Sequence, residues 1–141
     1  MNIQLVQTPK EKQDAFSVRF SVFVEEQGVP EEIELDEHDD EAIHFICYAS
    51  SGNPIAASRI RFTDNAGKLE RICVVKDYRG HSIGSKLIQL MEETILEKDV
   101  HIATLHAQTH ATEFYKRLGY RVTSEPFMDA GISHVAMEKH I

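Results

Sequence analysis

The chain has 141 residues, enough for one well-packed core and too few for two ordinary domains, so it reads as a single domain over residues 1–141. Its apolar fraction of 42% and charged fraction of 27% are those of a globular protein, and no apolar run approaches the roughly 18 residues that cross a bilayer. The net charge of −8 excludes a basic stripe of the kind that grips nucleic acid, because eight acids crowd into residues 31–41 and the other 15 acids balance the 15 bases.

Met1–Leu5 lacks the charged segment and long apolar stretch of a secretory signal, so a soluble, cytoplasmic protein is expected. Asn2 to Gln7 alternates weakly and predicts a first strand. Thr8-Pro9-Lys10-Glu11 then supplies a helix start: Thr8 can cap, Pro9 suits the first helical position and Glu11 completes a capping box. Ala15, Phe16, Val18, Phe20, Val22 and Phe23 give that helix an apolar face, ending near Gly28 and Pro30. The acids Glu31, Glu32, Glu34, Asp36, Glu37, Asp39, Asp40 and Glu41 follow, without a single Lys or Arg among them. Such a run is expected to be a solvated loop, the alternative being a rim that steers a cationic amine. His38 and His44 beside it have no fixed ligand spacing, and no metal is expected.

Ala42 to Ala49 and Pro54 to Phe62, separated by Ser50-Ser51-Gly52-Asn53, predict an antiparallel hairpin. A second turn, Asp64-Asn65-Ala66-Gly67, leads into a third strand, Lys68 to Val75. Cys47 and Cys73 fall in these strands without zinc-like or redox-like spacing, so reduced, buried thiols are expected. From Ser82 to Glu97, Ile83, Leu87, Ile88, Met91 and Ile95 recur at helical spacing. A strand at Ile102 to Ala107 and a helix at His110 to Leu118 come next, with Ala111, Phe114, Tyr115 and Leu118 on one face and Gly119 at the C′ position. Tyr120 to Ser124 and His134 to Glu138 finish the chain as strands, with a turn at Asp129-Ala130-Gly131. The order β-α-β-β-β-α-β-α-β-β describes an α/β fold, an α+β mixed sheet with helices on its faces.

The chemistry concentrates between Leu69 and Ser85: a strand, a short loop holding Arg and Gly, then a helix start. Such a turn aims free backbone N–H groups at one spot, at the positive end of the helix dipole, and suits a pyrophosphate. Gly80 and Gly84 let phosphate oxygens approach the main chain, and Arg79 adds a cationic donor at the rim. On spacing alone, a strand-to-helix turn that needs glycine for its geometry explains the same residues.

Arg79-Gly80-His81-Ser82-Ile83-Gly84 resembles the R/Q-x-x-G-x-G/A pyrophosphate loop of GNAT acyl-CoA N-acyltransferases, with Ser82 where the first motif glycine stands. Ala111-Thr112-Glu113-Phe114-Tyr115-Lys116-Arg117-Leu118-Gly119-Tyr120 is similar to that superfamily's later A-x-x-F-Y-x-x-L-G-F/Y element. Val18-Arg19 through Val22–Pro30, Asp36 to His44 and Asp129 to His134 look like its small ElaA-like bacterial branch, so the resemblance spans essentially the whole chain.

That resemblance implies a GNAT-like fold in which the strands Glu70 to Val75 and Ile102 to Ala107 splay apart around an acyl-pantetheine. It implies acetyl-CoA as co-substrate, no metal, and an N-acetyltransferase in which a primary amine attacks directly in a ternary complex. The cofactor residues carried over are Ile72, Cys73 and Val74 on the strand, Arg79, Gly80, His81, Ser82, Ile83, Gly84 and Ser85 on the loop, and Gln108. The Val74 N–H would polarise the thioester carbonyl. Tyr115 matches the general acid to the departing thiolate, although an ordinary core aromatic would occupy the same helical face. Glu70, placed on the face of Ile72 and Val74 by strict alternation, is the expected base, with a surface glutamate of no role as the alternative. His134 and Glu26 are the other base candidates. Together with Arg19, which could hold a substrate carboxylate or pair with the acidic run, they form the expected acceptor-binding set. Cys73 points away from Ile72 and Val74, against a thiol nucleophile. The expected partner is a small-molecule or peptide amine, with no nucleic acid, no membrane, and a homodimer as the assembly to test. A non-catalytic acyl-CoA-binding sensor or interaction module is the rival reading.

Overall fold

Thr8 caps the first helix as its sequence requires: its Oγ1 accepts the Glu11 N–H at 3.1 Å and the Glu11 carboxylate accepts the Thr8 N–H at 3.2 Å. The computed structural model describes residues 1–141. Strand β1 (Asn2–Leu5) leads to α1 (Pro9–Arg19), which runs on as a π-helical turn over Phe20–Glu26. A one-turn helix α2 (Glu31–Glu34) and a 3₁₀ turn (Glu37–Asp40) precede the meander β2 (Ile43–Tyr48), β3 (Pro54–Thr63) and β4 (Ala66–Val74). Then come α3 (Ile83–Glu97), β5 (Ile102–Gln108), α4 (Thr112–Arg117), β6 (Arg121–Val122), β7 (Phe127–Asp129) and β8 (Ile132–His140). The strands form one mixed sheet in the order β1-β2-β3-β4-β5-β8-β6, with β7 also on β8. The β4–β5 pair is parallel and the rest are antiparallel.

The sheet is buried on both faces. On one, Leu87, Ile88, Met91 and Ile95 of α3 pack on Phe45, Ile60, Leu69, Ala103 and Leu105. On the other, Ala15, Val18 and Val22 pack on Ile46, Ala57 and Cys73. Cys47 and Cys73 are free and buried in these layers. Gly67 is expected in a turn, but it lies inside β4, and the turn narrows to Asp64 and Asn65. Its role is contact: a Cβ there would stand 2.5 Å from the Ile95 side chain, so glycine is what lets α3 seat on the sheet.

Three features depart from the sequence reading. The final strand pair is β7 with β8, joined through Ala130 and Gly131 at φ 51° and 76°, and β6 shrinks to two residues. β7 is too short for its alternation to register in the sequence. The acidic run is not simply solvated, because Glu34, Asp39 and half-buried Asp36 turn inward and α2 forms around that contact. The third departure is a bulge in β4. Ala57 faces Cys73 and Arg59 faces Glu70, so β4 uses one residue more than β3 over this span. Arg71, at φ 57°, is the inserted residue.

Candidate functional site

β4 and β5 pair only where Gly67–Leu69 faces Ala103–Leu105. Beyond Leu69, β4 stays with β3 while β5 stays with β8 along its whole length, and the two central strands part. The gap is a cleft of about 410 Å³ lined by both strands, the π-helical turn, α4 and the β7–β8 hairpin. Its wall carries unused main-chain groups. The Val75 N–H bonds the Ile55 carbonyl across β3, so the alternation of an extended strand turns the Val74 N–H, and by the same step that of Ile72, toward the gap.

At the mouth of this cleft lies the loop before α3. Gly80 and Ser82 both adopt left-handed backbone, at φ 83° and 61°. No side chain caps α3, so its first-turn N–H groups at Ile83, Gly84 and Ser85 are free to meet an anion. A Cβ built on Gly80 meets nothing within 4 Å, which leaves open space over the loop. The position of Ser82 thus demands a positive φ, and serine meets it at a cost of about 1–2 kcal/mol. Ile83 spends its side chain in the core, His81 is exposed on the outer side of the loop, and Gly84 abuts the Phe114 ring at 3.4 Å. What this loop can offer an anion is mainly backbone.

Arg79 is not a free cation at the rim. Its Nη1 and Nη2 donate to the two oxygens of Glu26 at 2.6 Å each, and its Nε donates to the Val74 carbonyl at 2.9 Å. These hydrogen bonds lower the Glu26 carboxyl below its ordinary range. Glu26 therefore locks the loop rather than facing an acceptor, a correction to its expected role.

Arg19 is corrected more strongly. It is 0% exposed and donates to the Glu34 carboxylate and carbonyl and to both oxygens of Asp39 at 2.7–3.2 Å, so it has nothing left for a substrate carboxylate. The pairing with the acidic run is the reading that holds. Glu70 also departs from expectation. The bulge places it opposite Arg59, on the face of Cys73 and not on that of Ile72 and Val74. Arg59 at 2.9 Å, Arg61 at 2.8 Å and Lys68 at 3.2 Å surround its carboxylate. Burial alone would raise its pKa, but the Arg61 hydrogen bonds and the Arg59 and Lys68 charges outweigh it and hold Glu70 at about 2, which makes it a poor base.

One ion cluster joins these groups: Arg59 also binds Asp36 and Asp39, and Arg71 reaches the Glu34 carbonyl and Asp36. Arg59, Arg61, Lys68 and Arg71 escape a motif search. Their signal is Arg59 and Arg61 at period two in an otherwise apolar strand, since a buried charge demands a partner and the acidic run is the only dense source.

Ile72, Cys73, Val74, Gln108, Tyr115 and His134 all line the cleft. The Gln108 side chain pairs with Gln27 at 2.9 Å and accepts from His110 at 2.8 Å, so it fixes the rim of the cleft. Burial pushes the Cys73 thiol up to about 12, which keeps it protonated. Burial likewise pushes the Tyr115 phenol up to about 12. Its ring packs edge-on against Phe114 and Tyr120, and its hydroxyl has no protein partner. His134 Nδ1 donates to the Ile132 carbonyl at 2.7 Å and its ring stacks on Phe127. A carbonyl only accepts, so in the neutral ring the lone pair is on Nε2. His106, unremarked in the sequence, lines the same wall and packs on Phe127.

Comparison with known proteins agrees with this architecture. A family model described as an acetyltransferase (GNAT) domain matches residues 7–141. The Bacillus subtilis protein YjcF, described as an uncharacterized N-acetyltransferase, is 42% identical over 99% of this chain and 99% of its own length. A solved Lactobacillus plantarum structure assigned as an N-acetyltransferase superposes with a TM-score of 0.92 at 31% identity, covering 99% of this chain and 97% of that one. Escherichia coli ElaA shares the fold at a TM-score of 0.88 and 23% identity, covering 99% and 100%.

Proposed function

The chain belongs to the GNAT acetyltransferase family, and on that premise we propose that it moves an acetyl group from acetyl-CoA to a primary amine by direct attack within a ternary complex. The observation that carries this reading is the parting of β4 from β5 beside an uncapped helix N-terminus. The residues there fit the donor: backbone N–H groups of Ile83 to Ser85 and the left-handed loop at Gly80 and Ser82 suit the pyrophosphate, and the free edge of Ile72 and Val74 suits the pantetheine arm. The bound donor supplies an activated thioester. The Val74 N–H is oriented to stabilise negative charge on its carbonyl oxygen.

His134 takes the place first given to Glu70 as base. Its Nδ1 is committed to Ile132, so Nε2 can accept the proton the attacking amine must lose. Tyr115 acts at the other end of the transfer. A phenol at about 12 stays protonated at neutral pH and donates a hydrogen bond to the departing sulfur. Complete proton transfer to a thiolate of pKa near 8.5 would be uphill, so charge stabilisation is its main contribution.

The test is release of free thiol from acetyl-CoA across a panel of amines, with product amide confirmed by mass. Turnover with at least one amine, reduced about 10²-fold or more in Tyr115→Phe, supports the assignment. Tight acetyl-CoA binding with no turnover on any amine would instead identify a non-catalytic acyl-CoA sensor.

A further inference from the structure

The ion cluster beside the cleft holds five cations, Arg19, Arg59, Arg61, Lys68 and Arg71, against only four carboxylates. An uncompensated charge at low exposure is unfavourable, and the surplus has a definite address. Asp39 and Glu34 lie 2.7 Å from Arg19, Asp36 lies 2.7 Å from Arg59, and Glu70 is shared by three cations. Arg71 is left with a carbonyl oxygen of Glu34, one Asp36 oxygen at 3.2 Å and a 3.6 Å approach to the Glu34 carboxylate. Both carboxylates are closer to another guanidinium. The Nη1 donors of Arg71 bond no protein group.

Arg71 also faces the cleft. Its side chain lines the cleft and is 24% exposed, with Lys68 at 19% on the same wall. Its left-handed backbone is the inserted residue of the β4 bulge, a strained conformation that turns it out of the ladder. Burial, followed by the neighbouring Arg59 and Arg19 charges, lowers its pKa, as expected of a cation short of a counter-ion.

Resting on the transferase reading, we infer that Arg71 is the anion-binding residue of the acceptor site, so that the acceptor is an amine that also carries a carboxylate or phosphate. Its oxygens take the Nη1 edge of Arg71 and complete the charge balance of the cluster, with Lys68 as second cation. Asp129, the remaining acid on the cleft wall, sits exposed on the β7–β8 turn, where solvent and salt screen it.

The test uses matched amines at equal free-base concentration: leucine against leucinamide, and phosphoethanolamine against ethanolamine, scored by thiol release from acetyl-CoA. The anionic member of at least one pair is expected to show a kcat/KM about tenfold higher or more, and the pair that responds tells carboxylate from phosphate. In Arg71→Gln, checked for folding by thermal melting, the ratio falls toward one, and Arg71→Lys restores part of it. Because Arg71 braces α2 and its loss could unfold that segment, calorimetry on the unmodified protein with coenzyme A provides a second reading. N-acetylleucine is expected to bind more tightly than N-acetylleucinamide, or phosphoethanolamine more tightly than ethanolamine. A neutral amine used as well as its anionic twin overturns the inference, as does a folded Arg71→Gln protein that keeps the preference. If no amine is acetylated the transferase reading fails, and calorimetry alone decides: tighter binding of an anionic ligand upholds the Arg71 site, and equal or absent binding removes it.

Discussion

Arg79 and Glu26 meet across the mouth of the cleft in two 2.6 Å hydrogen bonds, one to each carboxylate oxygen, while the same guanidinium holds the Val74 carbonyl. The loop before α3 is thereby tied to the π-helical end of the first helix. A half-exposed pair of this kind is worth about 0.2–1 kcal/mol. Glu26→Gln is therefore expected to tighten acetyl-CoA binding about two- to five-fold by releasing Arg79, and Arg79→Gln to weaken it. Isothermal titration decides the sign. Weaker binding in Glu26→Gln would mean that the pair braces the loop in its binding form.

His134 and Glu70 make different predictions for the rate. With His134 Nε2 as the base, a folded His134→Gln protein shows kcat/KM lowered about 10²–10⁴-fold. Glu70, held at about 2, is ionised throughout the usable range, so Glu70→Gln leaves the shape of the pH–rate profile unchanged even where it lowers the rate. A folded His134→Gln protein that keeps the parent rate assigns the base elsewhere.

Glu70 should instead be felt in acid stability. Its pKa is lowered on folding from an ordinary value to about 2, so its contribution is fully present above the unfolded value. It is lost as pH falls from about 4.5 toward 2, and amounts to about 3 kcal/mol. Urea denaturation at pH 7 and pH 3 should show Glu70→Gln less stable at pH 7, with a smaller loss on acidification than the parent. Equal slopes in the two proteins would show that other carboxylates dominate the acid transition.

Much of the fold was legible because periodicity survives wherever an element packs on one face: α3 matches its five apolar positions, and the Thr8–Glu11 cap is what its four residues imply. The uncapped start of α3 and the loop before it were legible because free N–H groups and left-handed backbone leave a local mark in glycine spacing. The charged wall of the cleft was not. Glu70 was placed by strict alternation, and a single bulge at Arg71 reversed its face. Arg19 and Glu26 carried charges whose partners, Asp39 and Arg79, are 20 and 53 residues away, a relation no local pattern encodes.

Ser82 offers a test of the loop by itself. At φ 61° serine pays for a conformation glycine adopts freely, so Ser82→Gly is expected to stabilise the protein by about 0.5–1 kcal/mol, or about 2–4 °C in Tm. Unchanged acetyl-CoA affinity in that variant assigns the loop's anion contacts to its backbone. A loss of affinity would assign one of them to the hydroxyl.

The bulge at Arg71 divides β4 into two reading frames. Before it, Lys68 and Glu70 share the α1 side with the ion cluster while Gly67 and Leu69 face α3; after it the parity is reversed, so that Ile72 and Val74 pack against the α3 layer and Cys73 against the α1 layer. Substitutions at Lys68 and Glu70 can therefore alter the ion cluster without moving the cleft-facing edge of Ile72 and Val74. Deleting one residue at the junction would turn Ile72 and Val74 onto the α1 layer and Cys73 onto the α3 layer at a stroke, so this strand tolerates substitution but not a change in length.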